Sequence, residues 1–75
     1  MLLREFKIED YTIILNQEED IYIAQVVDKD GVKIFYHDYN DYDKIKASFD
    51  EIVQNVQNGD VDIKVILSIL EKGTI

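Results

Sequence analysis

Three runs of alternating apolar and polar residues, joined by short turns, most constrain how this chain can fold. A period of two places successive side chains on opposite faces of a strand. The first link is the polar loop Asn16–Asp20, and the second contains Asp30-Gly31, a pair typical of type I′ turns with positive φ at both positions. Two tight connections in succession predict a three-stranded antiparallel meander. Its strands are Tyr11–Asn16, Ile21–Asp28 and Val32–His37.

The second half of the chain changes to a helical period. An apolar stripe runs from Asp41 to Asn58, with Asn40 or Asp41 as a candidate N-cap and Gly59 as the expected residue after the C-terminus. This helix should cover one face of the sheet. The stripe consists of Tyr42, Ile45, Phe49, Ile52, Val53 and Val56.

The two ends of the chain are ambiguous. Residues Val61–Lys72 fit both a helical stripe and a strand alternation, but Asp60 or Asp62 as a cap and Lys72-Gly73 as a stop favour a helix. At the N-terminus, the spacing of Leu2, Leu3 and Phe6 suits one or two turns of helix, with a strand extension as the alternative. The prediction is therefore a single α+β domain over residues 1–75: a three-stranded meander, one long helix, a short C-terminal helix and a short N-terminal helix or strand.

Few residues suggest catalysis or metal binding. The chain has no cysteine and one histidine, His37, which we expect to be hydrogen-bonded or to face solvent. Nucleophilic catalysis needs a nucleophile, a base and an orienting group together, and Ser48 and Ser68 both lie in helical patterns. The oxygen-rich segment 38–43 fails as an EF-hand loop, because Asp43 stands where glycine is required and Phe49 where glutamate is required. We predict a non-enzyme without a metal or cofactor.

Charge excludes further classes of function. The net charge is −8, and phosphate binding depends on Lys and Arg, so we expect no direct binding of nucleic acid and none of an anionic membrane. A basic protein surface is the partner that such a chain fits, although acidity that only aids solubility remains an alternative. The charged N-terminal segment does not look like a signal peptide or a membrane span, and the absence of cysteine fits the cytoplasm.

The meander predicts where the acidic residues gather. In an antiparallel sheet, Asp10 at the start of the first strand should lie near Asp28 and Asp30 at one end. The opposite end should collect the remaining turn acids, namely Glu18, Glu19 and Asp20, near Asp38 and Asp41. Exposed carboxylates on a rigid sheet end can imitate the closely spaced charges of DNA.

Tyrosines alternate with acids just after the third strand. Tyrosine beside acids and amides is favourable interface material. Either Tyr36, Tyr39 and Tyr42 all contribute, or Tyr36 and Tyr42 point into the core and only Tyr39 is free. The candidate partner-binding residues are Asp10, Asp28, Asp30, Tyr39 and Asp41.

The segment Leu3-Arg4-Glu5-Phe6-Lys7, followed by Asp10-Tyr11-Thr12-Ile13 and Leu15, resembles the short helix and first strand of one family of small acidic phage anti-CRISPR proteins. These proteins inhibit the RNA-guided nuclease of type II systems by imitating DNA. The Asp30-Gly31 turn and a helix ending in Asn58-Gly59 are similar as well.

That resemblance implies a role for two carboxylates. Those of Asp10 and Asp30 would enter the basic cleft that reads the short DNA motif beside the target. The chain departs from the family at Val32 and Lys33, where the family has polar and acidic residues, and in its shorter acidic segment after the helix.

The predicted function is inhibition of a CRISPR nuclease or another nucleic-acid enzyme, in the host cytoplasm if a phage encodes the chain, by occupying the basic groove. The alternative is an antitoxin-like or assembly module that binds a partner protein or self-associates. This module would use an apolar sheet face, and a dimer would favour the module whereas a monomer would favour the mimic. Of the two predicted faces, one holds Ile14, Tyr22, Val26 and Phe35, and the other Ile13, Ile23 and Ile34.

Overall fold

The computed structural model describes residues 1–59 and 62–72, and it shows an α+β fold with a four-stranded antiparallel sheet and two helices. The strands are hydrogen-bonded in the order β1-β2-β3-β4, so each strand pairs with its neighbour along the chain. The predicted meander is confirmed, with one more strand than expected. The elements are β1 (Leu2–Ile8), β2 (Tyr11–Glu18), β3 (Ile21–Val27), β4 (Lys33–Tyr39), α1 (Tyr42–Gln57) and α2 (Ile63–Lys72).

The N-terminal segment is a strand, so the helical interpretation of residues 1–8 is wrong. Phe6 lies opposite Ile13 and Ile8 opposite Tyr11, which follows the strand period of two. The register shifts between Leu2 and Arg4, where Leu3 is the extra residue and packs against the core. Because of this bulge, the strand contains two adjacent leucines, Leu2 and Leu3. Their spacing from Phe6 therefore resembles that of a helical stripe.

A two-residue turn sets which side chains share a face of the sheet. Strand β2 continues to Glu18, which lies opposite Ile21, and Glu19 takes a positive φ of 55° in the turn. With this register Ile13 lies opposite Val26, on the helix-covered face, whereas Ile14 lies opposite Gln25 on the other face. The predicted grouping of Ile14 with Val26, and of Ile13 with the opposite face, is therefore wrong. A one-residue change of loop length reverses such assignments.

The second hairpin does not contain the predicted type I′ turn. Of its residues only Gly31 has a positive φ, 84°, and the Gly31 N–H donates to the Asp28 carbonyl at 3.1 Å. The Asp28 carboxylate accepts from the N–H groups of Asp30 and Val32, both at 2.9 Å. Aspartate at the first position and glycine at the fourth are typical of a type I turn followed by a left-handed residue. Asp28 thus holds the loop that Gly31 closes.

Both helices begin at aspartates. The Asp41 carboxylate accepts from the Asp43 N–H at 3.0 Å to cap α1, and Gly59 follows the helix with a φ of 87°, which confirms both predicted ends. At α2 the Asp62 carboxylate accepts from the Lys64 N–H at 2.9 Å. The helical interpretation of this segment is confirmed over Ile63–Lys72. The suggestions for Asp60, Val61 and Gly73 lie outside the described residues.

The core lies between one face of the sheet and the two helices. Phe49 of α1 is fully buried, and its ring meets that of Phe6 edge to face with centroids 6.1 Å apart. Ile23 is also buried but does not belong to this core, because it lies on the opposite face, where it pairs with Asn16 and Asp38. The centre of the core is formed by Ile13, Leu15, Val26, Ile45, Phe49, Ile52, Ile66 and Leu70.

Candidate functional site

One end of the molecule brings together two acidic segments that are distant in sequence. The β2–β3 turn follows Glu18, and α1 begins after Asp41. The ring of Tyr42, the first residue of α1, contacts the ring of Tyr22 in β3 with centroids 5.0 Å apart. This contact holds the start of the helix against the strand that leaves the acidic turn. We call the group the acidic end; it comprises Glu18, Glu19, Asp20, Asp41 and Asp43.

The acidic end has little neutralising charge. All of its side chains are exposed, and within residues 1–59 and 62–72 no lysine or arginine pairs with them within 4 Å. Lys44 is the basic residue that follows in sequence. The N-terminus of α1 tolerates Asp41 and Asp43 well, because the helix dipole is positive there. The acidic end is therefore a concentration of negative charge that the start of α1 helps to stabilise. The overall composition of the chain does not show where this charge lies.

Two of the basic residues form ion pairs with a carboxylate outside the acidic end. Arg4 and Lys46 both contact Asp50 on α1, each at 3.1 Å. The hydrogen bond from Lys46 lowers the pKa of the Asp50 carboxyl below its ordinary value; desolvation opposes this effect, and a hydrogen bond from Arg4 adds to it. These cations therefore fasten β1 to α1 and do not pair with the acidic end.

The opposite end of the sheet holds the first candidate carboxylates. As predicted, Asp10 and Asp28 come together there, where they line one depression with Glu9. Lys7 and Lys29 line the same depression, so positive charge is interspersed among these acids. Asp28 is also half-buried and engaged with its own turn. We call Glu9, Asp10, Asp28 and Asp30 the turn end; Asp30 lies exposed in the hairpin loop that follows Asp28.

Tyr39 does not lie where either sequence interpretation put it. It is only 5% exposed, its hydroxyl donates to the Leu70 carbonyl at 3.0 Å, and burial raises the pKa of its phenol to about 12. The register pairs Tyr39 with Tyr22 on the helix-covered face. Tyr36 and Tyr42, the alternative core residues, are 54% and 39% exposed instead. Tyr39 is thus a core residue that cannot contact a partner.

The five candidate residues therefore do not form one site. Asp10, Asp28 and Asp30 belong to the turn end, Asp41 belongs to the acidic end, and Tyr39 belongs to the core. The exposed Tyr42 and its neighbour Asp43 are absent from the five predicted partner-binding residues. The meander correctly predicted that the run from Glu18 to Asp20 lies near Asp41, but it did not predict the contact between Tyr22 and Tyr42 beside that run.

A second surface is the sheet face that neither helix covers, which we call the open face. Cross-strand pairing assigns its members: Asn16 lies opposite both Leu2 and Ile23, and Gln25 lies opposite Ile14 and Tyr36. Polar side chains separate its apolar ones. The apolar members are Leu2, Ile14, Ile21, Ile23, Val27 and Tyr36, of which Leu2 and Tyr36 are both 54% exposed.

Another polar group of interest is the ring of the one histidine. His37 is half-buried beside Tyr39, with ring centroids 4.9 Å apart, and its buried Nδ1 has no hydrogen-bond partner among the residues described. The expected hydrogen bond is therefore absent at Nδ1, whereas the ring as a whole remains partly exposed to solvent. Across residues 1–59 and 62–72, no three His, Cys, Asp or Glu side chains gather as metal ligands would.

Comparison of the chain with protein-family models, with curated proteins and with solved structures finds no match. None of the helices in the described part of the chain is long and apolar enough to cross a membrane.

Proposed function

We propose that this protein is a non-enzymatic inhibitor that imitates DNA and occupies the basic DNA-binding groove of a nucleic-acid enzyme. The observation that carries the proposal is the contact between Tyr22 and Tyr42, which joins the acidic turn after β2 to the acidic start of α1. The result is a rigid, exposed set of carboxylates with little neutralising charge. Such a surface is complementary to a groove of Lys and Arg side chains.

The mechanism would be competition. Carboxylates of the acidic end replace the phosphates that the groove normally binds, and the release of ions from both surfaces favours the complex. The exposed edge of Tyr42, 39% accessible, supplies an apolar contact in the middle of the charges. One acid at each end also stabilises the fold. Asp41 of the acidic end caps α1, and Asp28 of the turn end accepts hydrogen bonds within the turn between β3 and β4.

The acidic end is a better candidate for this role than the turn end. Lys7 and Lys29 lie among the carboxylates of the turn end and would repel a basic groove. The resemblance to anti-CRISPR proteins nevertheless points to Asp10 and Asp30, so the two ends make competing predictions. The same resemblance makes a type II RNA-guided nuclease the first target to test. In this chain, however, the segment Leu3–Lys7 that carries part of the resemblance is a strand, not the helix that the family would imply.

The test uses two triple variants with the same change in net charge. The first is Glu19→Gln with Asp20→Asn and Asp43→Asn, which neutralises the acidic end. The second is Glu9→Gln with Asp10→Asn and Asp30→Asn, which neutralises the turn end. Each set leaves the structural carboxylates of Asp28 and Asp41 in place. DNA binding and cleavage by a purified type II RNA-guided nuclease are measured with each protein at low and at physiological salt.

We expect the wild type to displace DNA, and the acidic-end variant to lose this ability while the turn-end variant keeps most of it. Inhibition by the wild type should weaken with salt, because screening weakens charge-dependent association. Loss in the turn-end variant alone would move the site to the surface that the resemblance implies. Wild-type protein that leaves DNA binding unaffected at both salt concentrations would refute inhibition of this enzyme, and equal potency of all three proteins would refute charge imitation at either end.

A partner-binding module remains the second candidate, and one specific observation favours it. Both helices pack on the same face of the sheet, so Ile21 and Tyr36 of the open face stay 39% and 54% exposed. An antitoxin-like or assembly protein would bury such a face against its partner. Because the open face and the acidic end have only Glu18 in common, the oligomeric state does not by itself decide between the two candidates.

A further inference from the structure

Charge is unevenly distributed along the open face. The rows nearest the acidic end contain Glu18, opposite Ile21, and Asp38, opposite Ile23. At the other end of the same face Lys7 lies opposite Thr12 and Lys33 lies opposite Val27. Between these ends lies the apolar band, formed by Leu2, Ile14, Ile23 and Tyr36. The polar side chains of Asn16 and Gln25 and a single acid, Glu5, interrupt it. The open face therefore carries acids at one end, lysines at the other and apolar side chains between them.

Lys33 is held on this face by a neighbouring ring. Its Nζ lies 5.4 Å from the centroid of the Tyr36 ring, a distance at which the cation is attracted to the ring. Asp38, on the same strand and face, pairs with Ile23 two rows away from Lys33. No ion pair joins Lys33 to Asp38 in the described structure. Both charges are thus available to groups outside the molecule.

We propose that the open face binds the open face of a second copy of this chain, with the strands of the two sheets antiparallel. A two-fold axis that lies in the interface and perpendicular to the strands stacks each strand on its own equivalent. The axis also places the lysine end of one copy over the acidic end of the other. With the axis along the row of Tyr36, Lys33 then approaches Asp38 of the second copy, and Lys7 approaches Leu2 on the edge strand. Two-fold symmetry makes each of these contacts twice.

This arrangement follows the packing rules for sheets. Two sheets stack with their strand directions within about 30° and bury alternate side chains between them. The apolar band of each copy would cover that of the other, which removes Leu2 and Tyr36 from water. The net charge of −8 on each copy opposes association, and the axis also brings Glu5 of the edge strand over its own equivalent. Screening over about 8 Å at physiological salt weakens both effects, so the two contacts between Lys33 and Asp38 are the main favourable electrostatic contribution.

The size of the face predicts a weak dimer. Four strands about 4.8 Å apart and roughly seven residues long, at about 3.3 Å per residue, make a flat area of about 440 Å² per copy. A total of about 900 Å² lies below the range of about 1,200 to 2,000 Å² for stable interfaces. Association should therefore be reversible and visible only as protein concentration rises.

This inference specifies the partner of the second candidate function and does not depend on DNA competition. The test is sedimentation equilibrium at physiological salt, from micromolar to millimolar protein, on the wild type and four variants. Lys33→Asp and Asp38→Lys each place like charges opposite one another, and the double variant restores opposite charges. The control Lys44→Asp changes the net charge as Lys33→Asp does, but on the exposed side of α1.

We expect a monomer–dimer equilibrium in which each single open-face reversal weakens association about tenfold, or about 1.4 kcal/mol. The double variant should return to within a few-fold of the wild type, and Lys44→Asp should stay close to it. In the wild type, NMR amide shifts that change with concentration should map to Ile14, Ile23 and Tyr36.

Three results would overturn the proposal. One is a wild-type protein that remains monomeric up to millimolar concentration. Another is a dimer on which Lys33→Asp has no more effect than Lys44→Asp. The third is a set of concentration-dependent NMR amide shifts in the wild type that is confined to the helices. This last measurement does not depend on any variant folding. DNA displacement by the wild type is measured separately, so failure here leaves the inhibitor proposal standing.

Discussion

Replacing Tyr39 with phenylalanine removes one hydroxyl that links the sheet to the last turn of α2. That hydroxyl donates to the Leu70 carbonyl at 3.0 Å, and the side chain is only 5% exposed. Leu70 lies among the last four residues of a helix that ends at Lys72, so its carbonyl has no intrahelical donor. The variant would leave this carbonyl buried without its partner.

The expected cost follows from that loss. Leaving a buried acceptor unsatisfied costs about 1 to 3 kcal/mol, compared with a total stability of about 4 to 11 kcal/mol for a domain of this size. For so small a domain, each kcal/mol corresponds to a fall of about 4 to 8 °C in the melting temperature. Urea unfolding followed by circular dichroism should show a lower midpoint with an unchanged slope, because the surface exposed on unfolding stays the same. Tyr36→Phe is the matched control, since Tyr36 is 54% exposed.

Stability at high pH gives a second, independent signature. The phenol pKa of Tyr39 is raised to about 12 in the folded protein, whereas an unfolded tyrosine titrates near 10. Above about pH 10 the unfolded state loses this proton while the folded state retains it, so stability falls as pH rises from about 10 towards 12. Below about pH 10 the contribution of the protonated phenol is fully present.

In Tyr39→Phe this part of the decline should disappear. The difference between the two proteins should therefore shrink as pH rises from about 10 to 12. A variant with the wild-type urea midpoint at neutral pH would refute the hydrogen bond as a source of stability. Parallel pH profiles for the two proteins would contradict the burial of the phenol.

Two further predictions concern the core and the second hairpin. Phe49→Ala should cost about 3 to 5 kcal/mol, because it empties a fully buried position against Phe6, and a cooperative unfolding transition at the wild-type urea midpoint would show that the core is wrongly drawn. Gly31→Val should cost about 1 to 2 kcal/mol through its positive φ alone, since nothing lies within 4 Å of the new Cβ. Gly31→Asn is the control, because asparagine tolerates this backbone region, and equal melting temperatures for the two variants would contradict a backbone cause.

The sequence predicted the elements that have strong local signals. The stripe from Tyr42 to Val56, the cap at Asp41 and the glycine after Asn58 all act within a few residues, and α1 forms there. The Asp-Gly pair correctly marked a hairpin, but the side-chain hydrogen bonds of Asp28 selected a different turn from the one the pair suggests. Local chemistry thus placed the turn without fixing its geometry.

The candidate site was less predictable, because it depends on which residues share a face. The two ends of the meander gathered their acids as strand connectivity required, including Asp10 with Asp28. The burial of Tyr39 and the exposure of Tyr36 follow instead from the register between β3 and β4, which shifts between Val26 and Val27. The pairing of Ile13 with Val26 depends in turn on whether the β2–β3 turn has two residues or five. Glu19-Asp20 has no turn signature, so the length of its loop could not be read from the sequence.

The sequence by itself determined an acidic chain, its alternating strands, its amphipathic helices and the aspartates that begin them, because these depend on composition and on spacing of a few residues. Tertiary structure alone decided that β1 joins the sheet and that both helices choose the same face. It also decided that Tyr42 packs on Tyr22 beside the acidic turn. These outcomes depend on burying apolar area between segments far apart in the chain, and the short-range pattern of a sequence does not record which distant surface provides that burial.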